Sequence, residues 1–415
     1  MIIADLHIHS RFSRATSKEL NIPNLEKYAR VKGVSLLGTG DFTHAKWLAE
    51  LKDHLIEDGT GVLKTKTGFP FILSSEVSNI FSRGGKLRKI HNVILAKSFE
   101  VVEQVNAFLT KKGNLLADGR PIFGKYGCEE LVPDLLSIDP DIEVIPAHVW
   151  TPWFGLFGSM SGFDSVKECY GEQTKNIHAL ETGLSSDPDM NARLSKLDRY
   201  NLVSFSDCHS FWPWRIGREA TIFDCTMSYD NLLKALRTGK GYHGTIEVDP
   251  NYGKYHFDGH RNCKTCMSPE ESLKHKKICP VCRKPMTIGV LSRVEELADR
   301  PEGTKAKIPF KKLIPLHEII GAVQGMGVAT QKTWKQFHEL VGPIGSEFGV
   351  MLDATREELL RYADETLVDA IINVREQKIT VKPGYDGEYG VPVFGKTPKK
   401  TAKPVKKSQL SLSDF

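Results

Sequence analysis

The chain opens with the stretch Met1-Ile-Ile-Ala-Asp-Leu-His7-Ile-His9, an apolar run that ends in two histidines. In an extended strand, residues two apart share a face, so both imidazoles point to the same side. A single His-x-His after a strand is also compatible with ordinary exposed histidines. The repetition of the pattern along the chain favours metal ligation.

Six further apolar runs in the first half of the chain carry a histidine or a carboxylate at their edge. They are 34–38 with Asp41, 69–74 with Glu76, 92–96 with His91, 141–147 with His148, 177–180 with Glu181, and 202–206 with Asp207 and His209. Helix-like stretches such as 24–32 and 231–238 separate the runs. This alternation predicts an α/β fold, a distorted parallel (β/α)7 barrel, with the ligands at the carboxyl ends of its strands. His91 opens its run, so either its strand pairs antiparallel with its predecessor or the boundary lies elsewhere.

Composition indicates a soluble, cytoplasmic protein. A chain of 415 residues at 40% hydrophobic can bury a large core, and its length predicts two or three domains. No apolar stretch approaches a membrane span, so we expect no membrane partner. The first residues do not resemble a signal peptide. Four cysteines lie in mixed contexts, which is typical of free thiols in a reducing compartment: Cys128, Cys169, Cys208 and Cys225.

The net charge of +5 is concentrated in two places. Residues 254–284 hold eight basic residues against three acidic ones, and residues 396–415 hold six lysines against Asp414. The rest of the chain is therefore mildly acidic. Concentrated cationic segments suit contact with a phosphate backbone at chosen places. Solubility explains the tail nearly as well.

Two C-x-x-C knuckles predict a structural zinc ion. Twelve residues separate them, a spacing that surrounds a tetrahedral ion and leaves no position for a substrate. The ligands expected are Cys263, Cys266, Cys279 and Cys282. A redox pair or disulfides are the alternatives, and a reducing compartment disfavours them. Basic residues around the knuckles make this finger a candidate for DNA contact: Lys264, Lys276, Lys277, Arg283 and Lys284.

The third segment, 286–390, is predicted to be mainly helical. Two helices, 315–324 and 328–341, flank the glycine-rich turn Gly325-Met-Gly327, a shape that presents backbone amides to a phosphate. A second glycine-rich break follows at 342–345, and Thr355 with Glu358 predicts a capping box. Helix pairs joined by glycine are also common as plain packing units.

The end of the chain reads as a linker and a peptide. Residues 391–408 are rich in lysine and proline, and we expect a disordered basic linker. Residues 409–415 resemble the peptide by which DNA enzymes bind a sliding clamp (PCNA), with Gln409, Leu412 and Phe415 as its anchors. An accidental match is the alternative. The segments expected are thus a barrel (1–248), a zinc finger (249–285), a helical DNA-binding domain (286–390), the linker and the clamp peptide.

The ligand pattern resembles the metal motifs of the polymerase-and-histidinol-phosphatase (PHP) superfamily. The matching motifs are His7-x-His9, Thr39-Gly-Asp41, Glu76, His91, His148 and Asp207-x-His209. The order of barrel, finger, helical domain and clamp peptide, with the junction at 250–266, resembles the archaeal endonuclease Q family over almost the whole chain. That resemblance implies a DNA-repair nuclease that cuts on the 5′ side of deaminated bases (hypoxanthine, uracil, xanthine) or abasic sites in double-stranded DNA. Residue patterns alone reach a multinuclear metal hydrolase acting on a phosphate ester.

The resemblance also implies the ligand sets. One ion is expected at His7, His9, Glu76 and Asp207, a second at bridging Glu76 with His91 and His148, and a third at Asp41 and His209, so two or three divalent ions (Zn, Mg or Mn) in all. The superfamily often has histidine at position 41, and another where this chain reads Arg14-Ala-Thr16, so the third site is the weakest. His44 is a candidate substitute ligand. Glu181 is expected to orient a ligand imidazole.

Hydrolysis by such a centre is expected to leave a 3′-hydroxyl and a 5′-phosphate. Asp207 and His209 lie at the expected reaction centre, and either Arg14 or Arg215 is a candidate partner for the transition-state charge. Aromatic residues follow two of the ligands and are candidates to grip an extruded base, or to pack their loops: Trp150, Trp153, Phe154, Phe211, Trp212 and Trp214.

Two other classes of function stay open at this stage. A small-molecule phosphatase of the histidinol-phosphate type shares the barrel, but it has no use for the finger or the terminal peptide. A noncatalytic, clamp-recruited DNA-binding scaffold uses both of those, but it needs no set of ligands at the barrel mouth.

Overall fold

A ten-stranded mixed sheet organises the computed structural model, which describes residues 1–394. The strands of the chain are β1 (Ile2–Asp5), β2 (Leu36–Gly38), β3 (Leu63–Lys64), β4 (Pro70–Arg83), β5 (Lys86–Ala96), β6 (Ile122–Gly124), β7 (Glu143–Pro146), β8 (Ala179–Glu181), β9 (Asn201–Val203), β10 (Ala220–Phe223), β11 (Tyr242–Glu247), β12 (Asp258–His260), β13 (Thr265–Met267), β14 (Phe310–Lys312), β15 (Thr380–Lys382) and β16 (Val391–Val393).

The main sheet has the order β14-β11-β10-β1-β2-β4-β5-β7, with β3 and β6 also paired to β4. Strands β1, β2 and β4 run parallel, whereas β10 pairs antiparallel with β1 and β5 pairs antiparallel with β4. The expected α/β barrel fold with a finger and a helical C-terminal part is confirmed, but its sheet is only partly parallel. Strands β4 and β5 form a long hairpin, which needs no crossover helix. His91 lies inside β5, which pairs antiparallel with its predecessor β4 and begins at Lys86. Both explanations offered for its position, an antiparallel strand and a different strand boundary, therefore apply.

The helices cover the sheet and build the C-terminal part. They are α1 (Ile22–Lys32), α2 (Ala45–His54), α3 (Phe99–Leu109), α4 (Cys128–Ile138), α5 (Val166–Tyr170), α6 (Pro188–Ala192), α7 (Tyr229–Thr238), α8 (Pro269–Lys274), α9 (Val290–Leu297), α10 (Leu316–Gln324), α11 (Gln331–Ile344), α12 (Arg356–Leu359) and α13 (Glu365–Arg375). Side-chain caps start the helices expected from the sequence: Asn21 caps α1 and Ser228 caps α7.

The C-terminal helices follow the predicted pattern with one difference. Helices α10 and α11 flank the glycine turn, and Thr355 with Glu358 forms the expected capping box at α12. Helix α11 continues through most of the predicted break at 342–345 and ends at Ile344, capped by Gly345, whose φ is 104°. Pro343 lies in its last turn and has no N–H to donate to the Glu339 carbonyl, so the helix loses one hydrogen bond there.

The C-terminal helices pack against the barrel through a buried ion pair and a ring cluster. Lys32 of α1 lies 2.6 Å from Glu347, and both side chains are buried. Trp214, which follows the ligand loop at 207–209, contacts His317 and Trp334 with ring centroids 4.8 and 5.7 Å apart. Strand β14 also pairs with β11, so this part of the chain adds a strand to the barrel sheet.

The end of the described chain differs from the expected linker. Strand β16 pairs antiparallel with β15, although its residues fall within the segment predicted to be disordered. The remainder of that linker from residue 395 onward and the clamp peptide at 409–415 lie outside the described residues. Within residues 1–394, none of the helices combines the length and apolar character needed to cross a membrane.

Candidate active site

Strand β1 and the loop after β9 bring the first ligands together. An isolated parallel bridge joins Ile8 to Cys208, and the His9 amide donates to the Cys208 carbonyl at 3.1 Å. This pairing sets His7 and His9 beside Asp207. Alternation along the strand then points both imidazoles the same way.

One ligand group consists of His7, His9, Glu76 and Asp207, whose ligand atoms lie within 4.8 Å of one another. His9 Nε2 is 3.0 Å from Asp207 Oδ1 and 3.4 Å from Glu76 Oε2, and His7 Nε2 is 3.6 Å from Glu76 Oε1. His7 Nε2 is buried without a hydrogen-bond partner. Two imidazole nitrogens, one of which has no hydrogen-bond partner, and two carboxylates form a donor set that fits a divalent cation.

A second group shares Glu76 and adds two histidines from neighbouring elements. His91 Nδ1 lies 2.7 Å and His148 Nε2 lies 3.1 Å from Glu76 Oε1. These three residues also meet within 4.8 Å. The structure therefore brings together both of the main ligand sets expected from the sequence, with Glu76 in the bridging position between them.

The two carboxylate ligands and His91 have the protonation states that bind a cation. Burial opposes charge on Glu76, but the guanidinium of Arg120 beside it holds its pKa well below the usual range. The pKa of Asp207 is also held well below its usual range, against the effect of burial, by the hydrogen bond with His9. Burial lowers the pKa of His91 to about 3, so its ring is neutral. Ionised carboxylates and neutral imidazoles are the forms that bind metals.

Two carboxylates behind the ligands orient the imidazoles. The Nδ1–H group of His7 donates to Glu181 at 2.9 Å, and the His148 amide donates to the same carboxylate at 2.7 Å. The Nδ1–H group of His9 donates to Asp41 at 3.0 Å. The bonds from the Nδ1–H groups of His7 and His9 fix the tautomer in which Nε2 of each ring faces the ligand group.

The third expected ion has no comparable group among residues 1–394. Asp41 is engaged by His9 and by Ser10, whose amide donates to it at 2.6 Å, so it acts behind a ligand. His209 Nδ1 lies 3.0 Å from the Asp207 carbonyl oxygen. His44 stacks on Phe12 at 4.4 Å, away from both groups. Asp41 stands behind His9 because the chain turns there in the left-handed region, with φ of 47°.

A cavity of about 410 Å³ opens directly over the ligands. His91, His148, Asp207 and His209 form its floor. Its walls come from distant parts of the chain, namely Trp153, Leu184, Tyr255 and Tyr389, and four cations border it: Arg120, Arg215, Arg218 and Lys254. Aromatic walls above a metal-ligand floor can hold a flat ring next to a reacting phosphate.

Arg120 is one of the cavity residues that the sequence did not reveal, together with Arg218, Tyr255 and Tyr389. Its Nη1 lies 2.9 Å from Glu76 Oε2, and its side chain borders the cavity. Arg14, one of the two expected partners, is 79% exposed and pairs with Asp118 at 3.2 Å, whereas Arg215 does border the cavity. Arg120 stands in a loop without periodicity or motif, so only the folded chain shows its position.

The aromatic residues divide into two sets. Trp153 and Phe154 line the cavity, as expected for base contact. Trp150, Phe211 and Trp214 are buried, and the Trp150 indole donates to Asn191 at 2.8 Å, so these three pack the core and no base can reach them. Trp212 stacks on Trp214 at 5.4 Å in the cluster with the C-terminal helices. Trp334 of α11 contacts both Trp212 and Trp214, with ring centroids 5.8 and 5.7 Å away, whereas Trp150 packs on Phe157 at 4.9 Å, so packing accounts for these side chains.

The finger assembles a ligand group that differs from the expected one. His260, Cys263, Cys279 and Cys282 lie within 4.8 Å, whereas Cys266 is exposed and stands outside. In β13, Thr265 points inward and Cys266 outward, as alternation along a strand requires. A hydrogen bond from the Thr265 hydroxyl lowers the pKa of Cys279 to about 6, which favours the thiolate.

The basic residues of the finger lie on its surface. Four of them adopt positive φ, between 52° and 62°: Lys264, Lys276, Lys277 and Arg283. Lys284 is exposed beside them. A positive φ favours glycine, so a basic residue at such a position costs more conformational energy than glycine would.

Comparison with known proteins connects this geometry to a family. Residues 315–378 match the family described as the MJ0043 C-terminal domain. The chain is 34% identical over 250 residues to the uncharacterized protein MJ0043 of Methanocaldococcus jannaschii, covering 59% of this chain and 31% of that protein. It therefore spans less than a third of that relative's length. The uncharacterized protein YqxK of Bacillus subtilis is 27% identical and covers 94% of this chain and 98% of its own.

Two solved structures superpose on nearly the whole chain. The lesion-specific endonuclease PfuEndoQ from Pyrococcus furiosus is 30% identical, covers 94% of each chain and gives a TM-score of 0.83. An endonuclease Q in complex with a 27-mer duplex that has an abasic lesion at the active site is also 30% identical, covers 95% of this chain and 96% of its own, and gives 0.85. The chain therefore belongs to the endonuclease Q family of lesion-specific endonucleases.

Proposed function

We propose that the protein is a metal-dependent DNA-repair endonuclease that hydrolyses the phosphodiester on the 5′ side of a damaged nucleotide. The observation that carries this proposal is Glu76, whose buried carboxylate is shared by two ligand groups, and three other members of these groups, Asp207, His91 and His148, line one cavity. The lesions proposed are hypoxanthine, uracil, xanthine and abasic sites. The products are a 3′-hydroxyl and a 5′-phosphate, with one water consumed.

The ions would be held by His7, His9, Glu76 and Asp207, and by Glu76, His91 and His148. Zinc, magnesium or manganese are the candidates, and the histidine-rich donor set favours zinc or manganese over magnesium. When bound, such ions polarise a phosphodiester and lower the pKa of a water near neutrality. Glu181 and Asp41 keep the imidazoles in the ligating tautomer.

Arg120 and Arg215 supply positive charge at the rim of the cavity. Both border it, and Arg120 reaches the shared carboxylate. Guanidinium groups bind phosphate oxygens with directed hydrogen bonds, so these two side chains are proposed to hold the scissile phosphate over the ligand floor. Burial lowers the pKa of His209 to about 4, so its ring is neutral where it lines the cavity.

The damaged nucleotide is proposed to turn out of the duplex into the cavity. Trp153, Tyr255 and Tyr389 offer ring faces or edges to it, and Trp153 and Tyr255 already contact each other at 5.5 Å. Stacking on such rings contributes about 1–3 kcal/mol per base. Deaminated bases pair poorly, so extruding them costs less than extruding a normal base.

The rest of the duplex is proposed to lie along the finger and the helical domain. The exposed basic residues of the finger suit phosphate contacts, and the glycine turn between α10 and α11 exposes Gly325 and Gly327 for the same purpose. We further propose that the terminal peptide with Gln409, Leu412 and Phe415 binds a sliding clamp, which would bring the enzyme to replicating or repaired DNA.

The function is tested with metal-loaded protein on a duplex containing hypoxanthine, on the matched undamaged duplex and on histidinol phosphate. We expect a single nick on the 5′ side of the lesion and no phosphate release. Asp207→Asn is expected to abolish nicking while DNA binding in a mobility-shift assay survives. Release of phosphate from histidinol phosphate would favour the phosphatase alternative, and nicking by Asp207→Asn would remove Asp207 from the reaction.

A further inference from the structure

Two large apolar side chains stand exposed on the loop that follows the ligand His148. Within this loop, 151–162, Trp153 is 37% exposed and Met160 is 54% exposed, whereas Leu156 and Phe157 are buried. The Met160 amide donates to the Pro152 carbonyl at 3.0 Å, which holds the two exposed positions close together. The loop thus presents a short apolar ridge to solvent.

Hydrogen bonds hold the loop in place, so the ridge is an ordered part of the fold. Ser161 Oγ accepts from the Phe154 amide at 3.1 Å and donates to the Lys89 carbonyl at 3.3 Å. The buried guanidinium of Arg293 donates to the Phe157 carbonyl at 3.0 Å and to the Phe163 carbonyl at 3.2 Å. These bonds tie the loop to the β4–β5 hairpin and to α9. The two exposed apolar side chains are therefore held at fixed positions, from which they can contact the apolar face of a bound molecule.

The ridge stands at the boundary of the cavity. Phe154 packs against the ligand His91 with tilted rings whose centroids are 4.3 Å apart, and Trp153 and Phe154 both line the cavity. Met160 is not among the cavity-lining residues, so it faces outward beside the opening rather than into it. A nucleotide inside the cavity would therefore leave its place in the stack next to Met160.

We propose that Met160 is the wedge that enters the base stack at the position vacated by the damaged nucleotide, with Trp153 separating that position from the cavity. This inference rests on the proposed function. A vacated position in a duplex exposes the apolar faces of the adjacent bases, and proteins that distort DNA commonly fill such a gap with Met, Leu, Ile or Phe. The sulfur of methionine makes favourable contacts with aromatic faces, and its flexible chain adapts to different neighbouring bases.

The test compares the cleavage rates of Met160→Ala and of the unaltered protein on two substrates. The first is a duplex with hypoxanthine in a fully paired context, and the second has the same hypoxanthine inside a short bubble of unpaired bases. Under single-turnover conditions, Met160→Ala is expected to cut the paired lesion about tenfold more slowly and the bubble lesion at nearly the unchanged rate, because the bubble needs no wedge. Ile56→Ala serves as the matched control, since Ile56 is 56% exposed and lies outside the cavity lining.

A second measurement reports the wedge without cleavage. In the Asp207→Asn background, 2-aminopurine next to the lesion is expected to brighten on binding, and Met160→Ala is expected to remove at least half of that rise. Equal slowing on both substrates, no slowing on the paired lesion, or an unchanged fluorescence rise would each overturn the wedge. Failure of the unaltered protein to cut either lesion would instead overturn the proposed function.

Discussion

The backbone at three site residues is strained. His148, Asp207 and Asp41 have φ of 30°, 46° and 47°, in the left-handed region that non-glycine residues rarely adopt. Each such residue costs on the order of 1–3 kcal/mol and persists only where its surroundings fix it. Here the fixing contacts are hydrogen bonds such as that from the His148 amide to Glu181. The fold therefore stores strain where the ligands must be aimed.

Glu181 is predicted to control the affinity for the first ion. Glu181→Gln removes the charge that holds the Nδ1–H group of His7, and an outer partner of this kind is worth about 10–100-fold in metal affinity. Competition with a chromophoric chelator measures the affinity. Glu143→Gln is the matched control, because Glu143 is a buried glutamate that binds His178 Nδ1 at 3.0 Å away from the ligand groups. Equal affinities of the two variants would contradict the assignment.

The pH dependence of metal binding follows from the same residues. Burial opposes charge on His7 and His9, but the neighbouring carboxylates Glu181 and Asp41 raise the pKa of each in the metal-free protein. A raised pKa stabilises the metal-free fold at low pH, and this stabilisation is lost as pH rises through the raised value. Ion binding must displace those protons, so affinity is expected to rise with pH above the ordinary histidine value of about 6.5. Calorimetry in buffers of different ionisation enthalpy measures the proton release. Constant affinity up to about pH 9 would contradict it.

At the scale of elements, the finger makes a clear prediction about its ligands. Cys279 belongs to the buried group and Cys266 does not. Cys279→Ser is therefore expected to abolish binding of the zinc ion predicted for the finger and to unfold it, because structural zinc supplies folding free energy outright. Cys266→Ser should keep the ion, as measured by elemental analysis after gel filtration. Loss of zinc from both variants would restore the four-cysteine site read from the knuckle spacing.

The sequence was informative about site residues that closely follow an apolar run, and less so about the longer loops. His7 and His9 were predictable because alternation along an extended segment fixes where a side chain points, and His148 because it directly follows the run 141–147. Arg120 was not, since its loop has no periodicity to interpret. Trp214 follows a ligand in the sequence, yet His317 and Trp334 bury it from more than a hundred residues away. Burial by distant partners is a property of the fold that local sequence does not contain.

At the scale of the whole molecule, the buried pair of Lys32 and Glu347 joins the barrel to the C-terminal helices. Lys32 also donates to the Pro213 carbonyl at 2.9 Å, and Glu347 accepts from the Leu316 amide at 2.9 Å. Lys32→Met leaves a buried carboxylate without its cation, which costs about 3–5 kcal/mol of unfolding free energy. Denaturant titration measures the loss.

The surface pair of Lys64 and Asp58, 2.8 Å apart, is the control for that measurement. Lys64→Met is expected to change the unfolding free energy by less than about 1 kcal/mol, because solvent screens an exposed pair. A loss at Lys32 no larger than at Lys64 would show that the two parts of the chain are held mainly by the ring cluster of Trp214, His317 and Trp334.

The β4–β5 hairpin carries a consequence for how the metal centre can vary. Glu76 lies opposite Val93 and His91 lies opposite Ser78, so two ligands depend on one ladder. That ladder is closed at its far tip by Gly84 and Gly85, both at positive φ, in a two-residue turn. Shifting the pairing by one residue would turn Glu76 to the other face of the sheet. A change at this tip that shifted the pairing by one residue would therefore separate Glu76 from His91 and remove the carboxylate that both ligand groups share.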